Sequence, residues 1–183
     1  MELSEFRSKD AEERNAEIEQ LFVRVFSDSE GESEGKLIGD LVSNFMAETD
    51  SKNLNIFMAT EGGEIIGCVI FSRLSSEEAQ VNAFLLSPVA VHPDYQGEGI
   101  GQKLISFGHD ELEKNGVGLV FTYGDIGFYS KVGYEKISEE GVEAPLELSH
   151  PEGWLAQSLA ADEVQSISGS SYCVEAINKP EYW

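Results

Sequence analysis

The sequence predicts an α/β domain of the α+β type, a mixed central β-sheet flanked by helices. Three observations carry that expectation. Two early segments space their apolar residues as helices do: Ile18, Leu21, Phe22, Val25 and Phe26, then Leu37, Ile38, Leu41, Val42, Phe45 and Met46. After Asn53 the pattern changes to short β-rich runs, the first two separated by Glu61-Gly62-Gly63-Glu64, which reads as an antiparallel hairpin. Further on, strand-like and helix-like segments alternate, which favours parallel pairing. With 183 residues and 41% hydrophobic content, the chain can bury one substantial core, and residues 1–183 are expected to form one domain.

The elements follow in order. The first helix is expected over residues 11–26, with Asp10 and Glu13 as a capping box. Residues 27–36, rich in Ser, Glu and Gly, read as an exposed and mobile loop before the second amphipathic helix. Strands are predicted at 56–60, 65–74 and 81–91, then a helix at 99–115, a strand at 119–123, a short helix at 128–132 and a strand at 133–137. In the tail, residues 154–160 read as a helical turn or two and 164–177 as weakly β-like. Tyr182 and Trp183 are expected to pack on the chain's own core in preference to forming an oligomer contact.

Charge narrows the function classes. With 34 acidic residues against 12 basic ones the formal net charge is −22, which repels phosphate backbones and argues against nucleic acid. Acidity spread over the whole chain reads as a solubility or high-salt adaptation rather than as a lure for a cationic substrate. Lys103, Lys114, Lys131 and Lys136 would make the field locally less negative around the glycine-rich segment at residues 96–101, where an anion would bind. No long uncharged apolar run occurs, and Met1 to Asp10 mix charges with Phe6, so no membrane span or signal peptide is expected and the cytoplasm is the default compartment. Cys68 and Cys173 are far apart, and Cys68 sits in an apolar run, so a buried thiol is expected rather than a disulfide. No paired zinc spacing, His-Glu-x-x-His helix or Gly-x-Ser-x-Gly elbow is present.

The informative segment is Leu86-Ser87-Pro88-Val89-Ala90-Val91-His92-Pro93-Asp94-Tyr95-Gln96-Gly97-Glu98-Gly99-Ile100-Gly101. A strand runs into a glycine loop that opens a helix, where unpaired amides prefer an anion. The nucleotide-triphosphate loop is excluded because Gly101 is followed by Gln102 and Lys103 instead of Lys-Ser/Thr. The dinucleotide fingerprint fits poorly, since the glycines are spaced G-x-G-x-G and follow two helices and a hairpin, although Asp125 ends the next strand where a ribose-binding acid would stand. Gln96-Gly97-Glu98-Gly99-Ile100-Gly101 resembles, at every defined position, the Gln/Arg-x-x-Gly-x-Gly/Ala loop of the GNAT acetyltransferases. Phe128-Tyr129-Ser130-Lys131-Val132-Gly133-Tyr134 is similar to that family's F-Y-x-x-x-G-F/Y segment, and the order of elements agrees from residue 56 to 137.

The resemblance implies a fold with a V-shaped splay between the two central parallel strands, and acetyl-CoA as cosubstrate. Backbone groups of Val89 and Val91 would meet the pantetheine amides, and amides from Gln96, Gly97, Glu98, Gly99, Ile100 and Gly101 would cradle the pyrophosphate. A backbone amide near Val89 or Ala90 would hold the oxyanion. Tyr129 is the implied general acid for the departing thiolate, its alternative role being core packing. No Asp or Glu lies between Ala79 and Asp94, so the strand carboxylate used by some members is missing, and a water relay or Glu48 would have to serve as base. His92, His109 and His150 read as turn, helix-surface and pre-proline loop residues. The implied activity is N-acetyl transfer to a primary amine, on a small molecule rather than a protein, with a homodimer possible. The competing reading is a non-catalytic acyl-CoA sensor or scaffold.

Overall fold

Little between residues 12 and 48 stops a helix. The computed structural model, which describes residues 1–6, 12–76, 81–161, 164 and 166–183, places α1 at Glu12–Glu30 and α2 at Glu32–Glu48. The loop expected at 27–36 is therefore absent, and only Gly31 separates the helices, at φ 104°. Glutamate is a good helix former, Ser29 Oγ bonds back to the Val25 carbonyl at 3.1 Å, and a single glycine makes the left-handed turn. A Cβ at Gly35 would land on the Ser27 side chain, so the same small residues that suggested a loop let the helices approach. The buried faces are the expected ones: Ile18, Leu21, Phe22 and Val25 on α1, with Ile38, Leu41, Val42 and Phe45 on α2. The start predicted at Ala11 and its cap Asp10 lie outside the described residues.

The described residues form two compact units. The first comprises Met1–Phe71 and Pro88–Gly108. It holds α1, α2, β1 (Glu2–Phe6), β2 (Leu54–Glu61), the first part of β3 (Glu64–Ser76), the end of β4 (Ala83–Val91) and the start of α3 (Ile100–Lys114). β1 is not foreseen from sequence. It pairs antiparallel with β2 from Glu2↔Thr60 to Phe6↔Ile56, and two of its five residues are glutamates, so it lacks the apolar alternation that marks a strand. β3 is buried continuously from Ile66 through Ser72, the pattern of a strand covered on both faces. Phe57 meets Phe71 and Phe107 edge-on at 5.9 and 5.7 Å.

The second unit comprises Ser72–Ser87 and His109–Trp183. Here β5 (Leu119–Tyr123) pairs in parallel with β4 from Ala83↔Leu119 to Leu86↔Thr122, as the alternation of elements predicted. α4 (Ile126–Tyr129) leads into a 3-10 turn at Ser130–Val132, and β6 is confined to Glu135–Lys136. Residues 154–158 are a strand, β7 (Trp154–Ser158), rather than helical turns. Trp154, Leu155 and Ala156 are all buried, and a short apolar run cannot be told from a helix by periodicity; antiparallel pairing with β5 and β6 decides it. Of the weakly β-like stretch at 164–177, β8 (Ser171–Cys173) forms and pairs with Leu74–Ser76, while residue 165 lies outside the described residues. Trp183 is packed as expected: it is 4% exposed, its Nε1 donates to the Ile177 carbonyl at 2.9 Å, and its ring stacks on Tyr123.

Hydrogen bonding among the described strands runs β1-β2-β3-β4-β5-β7-β6, with β8 on β3, a mixed open sheet with flanking helices. Cys68 is buried and Cys173 partly buried, both as free thiols. Among the described residues no helix is long and apolar enough to cross a membrane.

Candidate active site

The cofactor-binding candidates lie in the first unit. β4 leaves its ladder with β5 at Leu86, whose carbonyl accepts from Thr122 Oγ1 at 2.9 Å, and it runs on to Val91. Ala90 is buried, with Val89 and Val91 half-exposed beside it. His92 N donates to the Ile66 carbonyl, Pro93–Tyr95 makes one 3-10 turn, and Gln96 Nε2 folds back to donate to the Val91 carbonyl at 2.9 Å. That bond closes the loop from its own side chain and occupies one acceptor position of Val91. Gly97 and Gly99 have φ of 81° and 76°, a region that favours glycine. A Cβ at Gly97 would meet nothing within 4 Å, and one at Gly99 only Gln102 Oε1 at 3.6 Å, so both project into open space. Ile100 is buried and anchors the helix start: a Cβ on Gly67 of β3 would lie 3.3 Å from its Cγ2.

α3 opens directly from this loop with no acidic residue in its first turn, and its first regular bond runs from Lys103 N to the Gly99 carbonyl at 3.0 Å. The preceding amides are not used within the helix, and the axis dipole favours a negative charge there. A backbone cradle that a Cβ would fill, at a helix start with no acidic residue in its first turn, fits a pyrophosphate. Of the lysines expected to soften the field, Lys114 is tied to Glu111 at 2.6 Å on its own helix.

Tyr129 lies in the second unit, at the end of α4. Asp125 caps that helix, its Oδ1 accepting from Gly127 N at 2.9 Å, so its carboxylate has a local structural role. The Tyr129 ring rests on the backbone of Gly124, where a Cβ would come within 2.8 Å of Cε2. Burial pushes the phenol above its ordinary value, and the nearby Thr122 side chain pulls it partly back. Tyr134 meets the ring edge-on at 5.6 Å and donates its backbone N–H to the Tyr129 carbonyl at 3.2 Å.

The histidines divide. His92 caps the 3-10 turn at Pro93 and His150 precedes Pro151, both as expected. His109 does not lie on the helix surface. It is 7% exposed, and its Nε2 is 3.1 Å from Tyr134 Oη. Burial lowers its pKa to about 4, so the imidazole is neutral at pH 7. Thr122 and Gly124 escaped the sequence reading together with the inward position of His109, and Tyr134 enters it only as the last position of the F-Y-x-x-x-G-F/Y segment. One signal was present: Ile105, His109 and Leu112 fall at i, i+4 and i+7, the spacing of a buried helix face. Glu48, the carboxylate considered as base, is the exposed last residue of α2. Among the described residues no group of three or more His, Cys, Asp or Glu side chains could hold a metal. A cavity of ≈ 380 Å³ opens beside the end of β5, lined by Tyr123, Asp125, Lys136, His150, Glu152 and Gly153.

Comparison with known proteins bears on this arrangement. The family profile described as "Acetyltransferase (GNAT) domain" matches residues 52–136. The uncharacterized N-acetyltransferase YjhQ of Escherichia coli K12 is 29% identical over 74% of this chain and 77% of its own length. The uncharacterized N-acetyltransferase YhbS of the same organism is 31% identical over 64% of this chain and 66% of its own. The structure of E. coli YhbS in complex with CoA superposes with a TM-score of 0.79 at 24% identity, covering 98% of this chain and 92% of that one. A GNAT family acetyltransferase from Brucella melitensis, in complex with acetyl-CoA, gives a TM-score of 0.73 at 25% identity over 96% and 97% of the two chains. The chain belongs to the GNAT superfamily of N-acetyltransferases, and it is an acetyltransferase.

Proposed function

We propose that this protein transfers the acetyl group of acetyl-CoA to the primary amine of a small molecule, by direct attack in a ternary complex. The observation that carries the reading is the backbone cradle at Gln96–Gly101: positive-φ glycines with open space where side chains would be, followed by a helix with no acidic residue in its first turn. The solved relatives bound to CoA and acetyl-CoA support the choice of coenzyme.

Acetyl-CoA supplies an activated thioester and a thiolate leaving group. In this reading the chain's own residues do the rest. Amides of Gln96, Gly97, Glu98, Gly99, Ile100 and Gly101 bind the pyrophosphate, and backbone groups of Val89 and Val91 orient the pantetheine amides. The amide of Val89 or Ala90 donates to the oxyanion. Tyr129 keeps its proton until it passes from Oη to the thiolate sulfur, while the proton lost by the attacking amine leaves through a water relay, which also returns a proton to the phenolate after each turnover. Direct attack is favoured over an acyl-cysteine because burial holds the Cys68 thiol protonated and raises Cys173 to about 11. The cavity lined by Asp125 and Glu152 together with Lys136 and His150 is of a size that suits a small amine.

Titration calorimetry with acetyl-CoA should give one site per chain, and release of free CoA thiol should rise with at least one member of an amine panel. Varying both substrates should give intersecting double-reciprocal lines. Absence of binding at near-millimolar coenzyme would overturn the cofactor assignment, and binding without thiol release across the panel would favour the sensor reading.

A further inference from the structure

His109 has no place in the chemistry just described, yet it holds an expensive position. It is one of four buried polar or charged residues among those described. An apolar side chain would suit that site at lower desolvation cost. Its partner Tyr134 is 3% exposed, with the two rings 5.4 Å apart and the imidazole Nε2 3.1 Å from the phenol oxygen. Tyr134 in turn meets Tyr129 in two ways, edge-on through its ring and by its backbone N–H to the Tyr129 carbonyl. Tyr129 is further held by Gly124, against which its ring lies, and by Phe128, which meets it edge-on at 5.0 Å, with Thr122 near its hydroxyl. Thr122 is itself fixed, because its Oγ1 donates to the Leu86 carbonyl at the end of the β4–β5 ladder.

We propose that His109 is a positioning residue for Tyr129: its hydrogen bond to Tyr134 fixes the ring that sets the place and tilt of the catalytic phenol. The inference rests on the reading of Tyr129 as the general acid. Tyr134 without its hydroxyl partner keeps its packing but loses the bond that sets its depth, and a phenol must sit within hydrogen-bond reach of the atom it protonates. Misplacement by about 1 Å can cost about 100-fold in rate, so a partial loosening of this wall corresponds to roughly tenfold.

The test compares His109→Leu, His109→Gln and Tyr134→Phe, alone and combined with Tyr129→Phe. The readouts are free CoA release with an accepted amine, the melting temperature and the ¹³C-tyrosine NMR spectrum with and without acetyl-CoA. His109→Leu should lower kcat roughly tenfold, leave the KM for acetyl-CoA and the melting temperature at pH 7.5 nearly unchanged, and shift or broaden the resonance that Tyr129→Phe deletes. His109→Gln, which can still bond to Tyr134, should recover most of the turnover. In the Tyr129→Phe background His109→Leu should have no further effect. Should His109→Leu fail to fold, Tyr134→Phe removes one oxygen atom only and carries the same comparison. Loss of turnover in Tyr129→Phe, with full turnover and an unmoved Tyr129 resonance in both His109→Leu and Tyr134→Phe, would overturn the positioning role alone. Equal losses with and without the Tyr129 hydroxyl would also overturn it, as a general structural effect. Full turnover in Tyr129→Phe would remove the acid reading and the positioning role with it.

Discussion

The glycine loop and the Tyr129 pocket are built by opposite means. The loop is made of backbone: two positive-φ glycines, the unused amides of a helix start and one side-chain strut from Gln96 to Val91, all within eleven consecutive residues from Val91 to Gly101. The pocket is made of side chains from separate segments, His109 on α3, Thr122 on β5 and Tyr134 after α4, closed by the bare backbone of Gly124. A backbone cradle tolerates side-chain variation at its exposed positions and fails when a glycine is lost. A side-chain pocket should fail by degrees as each wall is removed.

The largest effect expected on this contrast is at Tyr129. Tyr129→Phe keeps the ring on Gly124 and against Tyr134 and deletes only the hydroxyl. Turnover should fall by roughly 10²–10⁴-fold, the range of a positioned acid, with coenzyme affinity nearly unchanged. The two measurements separate the regions, since a fall in affinity of similar size would mean that loop and pocket do not act independently.

Next in size is the pH dependence of stability that His109 creates. Burial lowers its pKa from 6.5 to about 4. The unfolded chain binds a proton below about 6.5 that the folded chain refuses until about 4, so stability is fully present above this window and is lost as pH falls through it. The loss approaches roughly 3 kcal/mol at the acid end, at 1.36 kcal/mol per unit. Denaturant unfolding of wild type and His109→Leu between pH 7.5 and 4 should show the variant gaining on wild type as pH falls. Carboxylate titration is common to both chains and cancels in the difference. Parallel curves would mean that His109 is charged, or open to water, in the folded state.

The same contrast explains what the sequence made legible. The loop is local: Gln96, Gly97, Gly99 and Gly101 stand in order, the following Gln102-Lys103 excludes the nucleotide-triphosphate loop, and the glycine spacing counts against the dinucleotide fingerprint. The hairpin, the parallel β4–β5 pair and the helix after the loop are legible for the same reason, since each shows a local period or turn. The pocket depends on which buried positions face one another, and nothing in Leu119-Val120-Phe121-Thr122-Tyr123 says that Thr122 will reach both Leu86 and Tyr129. The two misread segments have related causes. Residues 27–36 had loop composition, but the glutamates extend both helices and one glycine suffices for the turn. Residues 154–158 had no usable period, and only pairing with β5 and β6 makes them a strand.

A smaller effect is expected from adding bulk to the cradle. At Gly99 the protein leaves room for a side chain, so Gly99→Val should fold, carrying a backbone strain of about 1–2 kcal/mol from its positive φ. Acetyl-CoA affinity should weaken by roughly tenfold or more, equivalent to at least about 1.4 kcal/mol. Affinity unchanged in a folded variant would move the pyrophosphate away from this loop.

The smallest effect, and the one that sharpens the contrast most, concerns Gln96, the only loop side chain with a hydrogen bond to β4 among the described residues. Its Nε2 donates to the Val91 carbonyl at 2.9 Å from an exposed position. A neutral bond of this kind contributes about 0.5–1.5 kcal/mol, and in water much of that is replaced by solvent. Gln96→Ala should therefore cost little stability and weaken acetyl-CoA binding only about threefold, because the loop spends more of its time open before the ligand arrives. Gln96→Glu cannot donate to the carbonyl and places a negative charge beside the pyrophosphate site, so it should bind more weakly than Gln96→Ala, with a gap that narrows as salt is added. Gln96→Arg keeps a donor and should bind at least as well as wild type. That order, Arg at or above Gln, then Ala, then Glu, follows if the side chain works by bracing backbone in a field that must not become more negative. Equal affinities for Ala and Arg would reduce Gln96 to a surface residue and leave the glycines alone in charge of the loop.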